Sequence, residues 1–334
     1  MKAVWITPKD DLEIRPEGLY SRLASARYRA IVPAVALASR GHHASVVGLD
    51  AESSDSVYDH ISDADVVVLR KHYADPACAE QMLARINKRQ IKTFFDLSDD
   101  RFTEYGPHLR FMLQQAGGIV TASVALQEIV QRQVGRHSNV VTDPFEGARG
   151  EARGFSGGRM SGLWFGHGFN LPSLLQSLPD LLRAAVVNPF DLTIVTERLE
   201  GLERYCEKFN HKNRDSLCLR FSEWSMQATA SALNAADFVV IPALPDKQWT
   251  LAKSPNRIIE SLWAGRFVIA HPIPAYMEFN AWAHIGPSLA EGIAWMVGNG
   301  GRIVGHIEGA QNFIANKFSP ERISLEWEKV FEEA

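Results

Sequence analysis

The stretch LAKSPNRIIESLWAGRFVIAHPIP, Leu251–Pro274, decides how the rest of the chain is read. It runs through a loop, a helical segment, a glycine stop and a buried strand. Ser254 is a good N-cap, Pro255 a favoured first helical residue, and Gly265 stands where a C′ glycine belongs. The spacing therefore predicts a helix over about residues 255–264. Ile258, Ile259, Leu262 and Trp263 form its apolar stripe. Glu260 lies roughly 130° from the middle of that stripe, at ~100° per residue, and so is not a core position. Asn256 and Glu260, at i and i+4, share a ridge. A helix amino terminus offers free N–H groups and a positive partial charge, which suit a diphosphate; Lys253 just before it adds a full charge. The plain alternative is an Arg257–Glu260 surface pair at i, i+3 beside a solvated lysine.

Outward from this stretch, short apolar, β-branched runs alternate with longer helical patterns, the signature of βαβ units and parallel sheets. The first half reads as strands at Ala3–Ile6, Ala44–Leu49, Ala64–Leu69, Lys92–Leu97, Ile119–Ala122 and Asn139–Thr142. The second half repeats the rhythm with GLWFG, FDLTIVT, LCLRF, DFVVIPAL and RFVIAHP. Between the halves, FEGARGEARGFSGGRM (Phe145–Met160) is rich in glycine and charge and has no apolar period, so it reads as a linker. The expected organisation is a doubly wound α/β domain over 1–147, a linker over 148–160, a second such domain over 161–317 and a closing helix over 318–334. Ligands of such domains sit outside the carboxyl ends of the strands, and the cleft between two domains is the default site.

Bulk composition narrows the classes. With 35 Lys+Arg against 39 Asp+Glu the formal charge is −4, and there is no basic stripe of the kind a nucleic-acid binder carries. Cys78, Cys206 and Cys218 are scattered without a CxxC pair, which argues against a disulfide framework or a cysteine zinc site and fits a reducing compartment. No apolar run reaches the ~18 residues of a membrane span, and MKAVWITP enters a strand directly, without a signal-peptide core. The expectation is a cytoplasmic protein.

Three stretches carry a family likeness. SARYRAIVPAVALASRGHHASVV (Ser25–Val47), with Pro33 leading a helix and Gly41-His42 closing it, resembles the first helix and second strand of GT-B glycosyltransferases. FSEWSMQATASALNAADFVVIPAL resembles a later helix and buried strand of that fold, and Leu251–Pro274 resembles the donor-binding helix of the retaining enzymes. With the closing QNFIANKFSPERISLEWEKVF, the resemblance runs through nearly the whole chain in order. It implies two Rossmann-like domains facing a central cleft, and transfer of a sugar from a nucleoside diphosphate sugar to an acceptor hydroxyl without metal or covalent cofactor. It also implies that Glu260 holds the ribose hydroxyls, which a carboxylate can do by accepting two hydrogen bonds. The chain departs from the family's E-x7-E pattern, because Ala252 stands where the first, sugar-contacting glutamate is expected.

The other candidates follow from position. Gly166 and Gly168, in LWFGHGFNLP, let backbone N–H groups approach phosphate or sugar oxygens, with His167 as a donor; a tight turn is the plain alternative. Arg27 and Arg29 suit an anionic acceptor or the donor diphosphate, or simply a solvated helix start. Asp96, Asp99 and Asp100 end a first-domain strand and can orient or deprotonate an acceptor hydroxyl, although N-capping accounts for one of them. Trp224 can stack on the base with Glu223 helping to choose it, or be a buried interface residue, and His271, at the mouth of the last strand, can approach the sugar or be a polar loop residue. A structural role is expected for Glu278. Two other readings keep the fold: a nucleotide-sugar epimerase, for which the acid and base pair is not evident, and a degenerate subunit that binds without turnover. The absence of G-x-G-x-x-G after the first strand speaks against an NAD oxidoreductase. The terminal helix has a stripe of Ile323, Trp327, Val330 and Phe331; the resemblance implies that it packs back across the domain junction and buries the stripe within the chain, a dimer contact being the alternative.

Overall fold

The computed structural model describes residues 1–49, 58–59, 61–71, 76–155, 157–244 and 247–333. Its chain forms two compact units, Met1–Glu146 with Leu251–Ser254 and Asn316–Ala334, and Gly147–Thr250 with Pro255–Ala315.

The first unit is built on β1 (Lys2–Pro8), a hairpin of β2 (Glu13–Arg15) and β3 (Gly18–Tyr20), then β4 (His43–Leu49), β5 (Val66–Arg70), β6 (Lys92–Leu97), β7 (Gly118–Thr121) and β8 (Asn139–Val140). Its main sheet is parallel throughout, in the order β4-β1-β5-β6-β7-β8. The inner strands β1, β5 and β6 are buried on both faces, hence the near-continuous Val, Ile and Phe in their sequences. The second unit holds β9 (Met160–Phe165), β10 (Phe190–Thr196), β11 (Leu217–Glu223), β12 (Phe238–Ile241), β13 (Phe267–Ala270) and the two-residue β14 (His284–Ile285). They run parallel in the order β11-β10-β9-β12-β13-β14. The strand order reverses between β9 and β12, which makes the crevice outside their carboxyl ends this unit's topological switch point.

Two sequence expectations are revised by local physics. The first helical run starts at Ala24, ahead of Pro33, and passes through a π turn at Arg27–Ile31 before Val32–Ser39. Proline has no N–H and cannot close an ordinary helical turn; the wider turn, with Val32 N–H donating to Arg27 O, carries the helix through. Arg27 and Arg29 therefore lie inside a helix. Of the stretch expected as a linker, 148–160, the described residues before Met160 form no helix or strand, Met160 opens β9, and the segment is strapped to the second unit. Gly150 N–H donates to Trp263 O, Arg153 N–H to Gly265 O, and Arg149 Nε to Gln311 Oε1 at 2.8 Å. Gly265, at φ +78°, ends the helix with Arg266 N–H reaching Ser261 O, and a Cβ there would overlap the Glu151 carbonyl.

The terminal helix Pro320–Glu333 belongs to the first unit, with its stripe Ile323, Trp327, Val330 and Phe331 fully buried against Ala3, Trp5 and Phe94. Trp5 and Trp327 meet edge to face, ring centres 5.6 Å apart. No helix among the described residues is long and apolar enough to cross a membrane.

Candidate functional site

At the switch point of the second unit, β9 ends in the loop Gly166–Asn170, which leads into the helix Leu171–Val187. The helix Asn256–Trp263 begins in the connection after β12. The Arg257 side chain lies over the backbone of Gly166: a Cβ there would be 3.6 Å from Arg257 Nη1. Arg257 Nη1 and Asn256 Oδ1 are both buried with no hydrogen-bond partner among the described residues. Each such atom costs about 1–3 kcal/mol when left unsatisfied, so this helix start has an acceptor and a donor able to take a polar partner.

The helix start differs from the sequence expectation. Ser254 does not cap; Pro255 takes the N-cap place with φ −82°, ψ 19°, and its carbonyl accepts from Ile258 and Ile259 N–H at 3.1 and 3.0 Å. With the first turn closed on Pro255, the Ser254 hydroxyl is one residue too far back to serve. Glu260 sits half-buried one turn in, off the apolar face, as its phase predicts. Lys253 and Ser254 count with the first unit, where Ala252 is fully buried and its carbonyl accepts from Ser123 Oγ at 2.7 Å. The expected donor set is thus divided between the two units.

Along the same sheet edge the loops after β9, β10 and β11 are tied together. Gly168 N–H donates to Glu197 Oε2 at 2.8 Å, Thr196 Oγ1 donates to the same oxygen at 3.1 Å, and Trp224 N–H donates to Thr196 O at 2.8 Å. His167 Nδ1 accepts from Phe169 N–H at 3.1 Å. Burial alone would raise the Glu197 carboxyl, but the Gly168 and Glu197 N–H groups and the His167 ring hold it below its usual range. The Glu223 carboxylate is more than half exposed and pairs with Arg198 at 3.1 Å. His271 Nδ1 lies within hydrogen-bonding distance of both the N–H and the C=O of Ala243, joining the segments that follow β12 and β13. Glu278 falls in the 3₁₀ turn Pro274–Phe279.

In the first unit, two residues expected at a ligand face each other instead. Arg29 and Asp96 are buried, and Asp96 accepts from Arg29 Nε and Nη2 and from Arg70 Nε. Arg29 also donates to Asp143 Oδ1 at 3.1 Å and to the Val141 carbonyl, while Arg70 reaches Ser25 O at 2.6 Å. This neutral quartet satisfies both guanidinium groups internally and leaves neither charge for an external anion. Burial opposes the charge on Arg29, but Asp96 and Asp143 outweigh it and raise its pKa; on Arg70 burial prevails, aided by Arg29, and its pKa is lowered. Arg27 is likewise committed, donating from Nε to Glu146 at 2.8 Å and from Nη1 to the Ser21 and Arg22 carbonyls. Asp100 Oδ1 accepts from Phe102 N–H, but the N-cap of that helix is Arg101, so neither Asp99 nor Asp100 caps it; Asp99 accepts from Ser98 Oγ.

Sequence reasoning passed over Glu197, Arg70 and Asp143. A signal existed for two of them: Glu197 directly follows FDLTIVT, and Arg70 closes VVVLR, so each places a charge at a strand's carboxyl end. No group of three or more His, Cys, Asp and Glu side chains among the described residues is arranged to hold a metal ion.

No known family's sequence profile matches this chain, and no curated protein does. Solved structures do. HepE of Anabaena, solved in complex with UDP, aligns with a TM-score of 0.72 at 13% identity over 100% of both chains. A glycosyltransferase from Rickettsia africae aligns at 0.67 and 13% identity, over 99% of this chain and 98% of its own. A sucrose-phosphate synthase from Thermosynechococcus elongatus aligns at 0.65 and 12% identity, again over 99% and 98%. At such identities the likeness is one of fold: the two six-stranded parallel α/β units are those of a GT-B protein.

Proposed function

We propose that this chain is a glycosyltransferase that takes a hexose from a nucleoside diphosphate sugar and passes it to an acceptor hydroxyl with retention of anomeric configuration. The observation that carries the proposal is the pair of buried, unpartnered atoms, Asn256 Oδ1 and Arg257 Nη1, at a helix start on the second unit's switch point. A diphosphate answers the Arg257 need directly, and the free N–H groups of the helix start add to it. Glu260, one turn further in, then accepts from the ribose hydroxyls, Trp224 stacks on the base, and His271 borders the sugar. Arg257 and the helix start stabilise the charge that develops on the departing diphosphate, so transfer needs no covalent cofactor. UDP is the first nucleotide to try, since HepE was solved with it. Lys253 as a further diphosphate contact, and Asp99 and Asp100 as acceptor-side groups, complete the proposal.

A second reading, a GT-B protein that binds a nucleotide sugar without turnover, is favoured by one observation. Ala252, where the sugar-contacting glutamate of the E-x7-E pattern would stand, is a fully buried methyl group in a hydrophobic core. A panel of UDP-, GDP-, ADP- and dTDP-hexoses separates the two. Release of nucleoside diphosphate from one of them, lost in Arg257→Met, is the expected result, with NMR reporting the product anomer. Binding of a donor with no release, alone or with saccharide acceptors, would select the second reading.

A further inference from the structure

Glu197 takes no part in the scheme above, yet its carboxylate holds the Gly168 N–H, one of the loop groups that the sequence offers to a phosphate. Its Oε2 receives the Gly168 N–H at 2.8 Å, and the next N–H, of Phe169, is taken by His167 Nδ1. Two of the loop's backbone donors are therefore taken by the chain's own side chains, one of them a carboxylate. Residue 168 has to be glycine for this: a Cβ there would meet Glu197 Oε1 at 2.7 Å. The Glu197 side chain is nevertheless 41% exposed, so it can rotate into solvent without opening any core. Arg257 Nη1 lies over Gly166 of the same loop, buried and with no hydrogen-bond partner among the described residues. One N–H of the loop is thus held by an internal anion, while the neighbouring Arg257 Nη1 has no partner among the described residues.

We propose that Glu197 is a built-in competitor for the donor diphosphate, holding the Gly168 N–H in the empty protein and swinging out when the nucleotide arrives. This rests on the donor-site reading given above. A carboxylate and a phosphate cannot share one N–H donor, because like charges at hydrogen-bonding distance repel strongly. Donor binding therefore has to overcome the Glu197 contact, and return of the carboxylate helps to expel the nucleoside diphosphate left after transfer. Loss of binding energy to an internal group lowers affinity without touching the groups that recognise the base or ribose.

The test is a gain of affinity, which a misfolded variant cannot imitate. UDP, GDP, ADP and dTDP are titrated calorimetrically into wild type and Glu197→Gln, then the nucleoside of whichever binds, with Glu197→Ala as a second variant. The expected result is roughly tenfold tighter binding of the diphosphate by both variants, the size of one charged hydrogen bond released, with nucleoside binding unchanged within about twofold. Binding by a variant where wild type shows none would support the proposal equally. If wild type binds a diphosphate and neither variant binds it more tightly, the competitor role is wrong while the donor site stands. If the variants lose nucleoside and diphosphate affinity together, Glu197 is instead a nucleoside contact. If no protein binds any diphosphate, the donor-site reading itself fails and takes this inference with it.

Discussion

Replacing Asp96 with asparagine separates a structural role from a chemical one. The side chain sits at the centre of a buried quartet and accepts from Arg29 through Nε and Nη2 and from Arg70 through Nε at 3.3 Å. Asparagine conserves volume, so no cavity contributes; what changes is charge. Arg29 would retain Asp143 and the Val141 carbonyl, but Arg70 would be left with the neutral Thr7 hydroxyl and Ser25 carbonyl at hydrogen-bonding distance. A buried guanidinium stripped of its carboxylate typically costs about 3–5 kcal/mol. For a unit of this size each kcal/mol lowers the transition by about 2–4 °C, so the first unit should melt roughly 6–20 °C earlier. Differential scanning calorimetry with circular dichroism reads this directly. The reasoning would be refuted if Asp96→Asn melted within about 2 °C of wild type while sugar transfer fell a hundredfold, for then Asp96 would serve the reaction rather than the fold.

Three further outcomes follow from contacts elsewhere. Trp327→Ala removes a fully buried ring that meets Trp5 and Phe331, and should destabilise the first unit by about 3–5 kcal/mol in urea titrations. Gly265→Ala forces a Cβ into the Glu151 carbonyl at φ +78°, so it should lower the second unit's melting temperature, with a cost of more than about 1 kcal/mol. Glu328 pairs with Arg40 at 2.8 Å and with His42 at 2.8 Å, and Arg40 first among them holds its carboxyl below the usual value. A depressed folded-state pKa contributes stability above the unfolded carboxylate pKa and loses it as pH falls through the folded value. Glu328→Gln should thus cost about 0.5–1 kcal/mol at pH 7, screened as a partly exposed pair, and nothing in acid below that lowered value. An equal cost at both pH values would contradict this.

Much of the architecture is legible because strands buried on both faces write themselves as apolar runs: FDLTIVT matches β10 residue for residue, and KTFFDL matches β6. The hairpin β2–β3 and the two-residue β14 carry too few residues for any period to show, and neither was anticipated. The Arg257 helix was recognisable from its glycine stop and apolar stripe, with its start misplaced by one residue because proline's ψ cannot be read from its neighbours. Side-chain pairing was the least legible. Nothing local distinguishes an arginine aimed at an external anion from Arg29, whose partners Asp96 and Asp143 lie 67 and 114 residues away along the chain. Glu197 could be placed at a strand's carboxyl end from the sequence, but its pairing could not: its partner Gly168 lies on the neighbouring strand's loop.

The central claim is that a nucleoside diphosphate occupies the start of the Asn256–Trp263 helix, and its most direct test is calorimetric titration of UDP, GDP, ADP and dTDP into wild type and Glu260→Ala. The account predicts that one nucleotide binds and that the variant loses about 1.5–3 kcal/mol, as for hydrogen bonds to a charged group. Absence of binding at millimolar nucleotide to wild type and Glu197→Gln alike, or equal binding by wild type and Glu260→Ala, would contradict it.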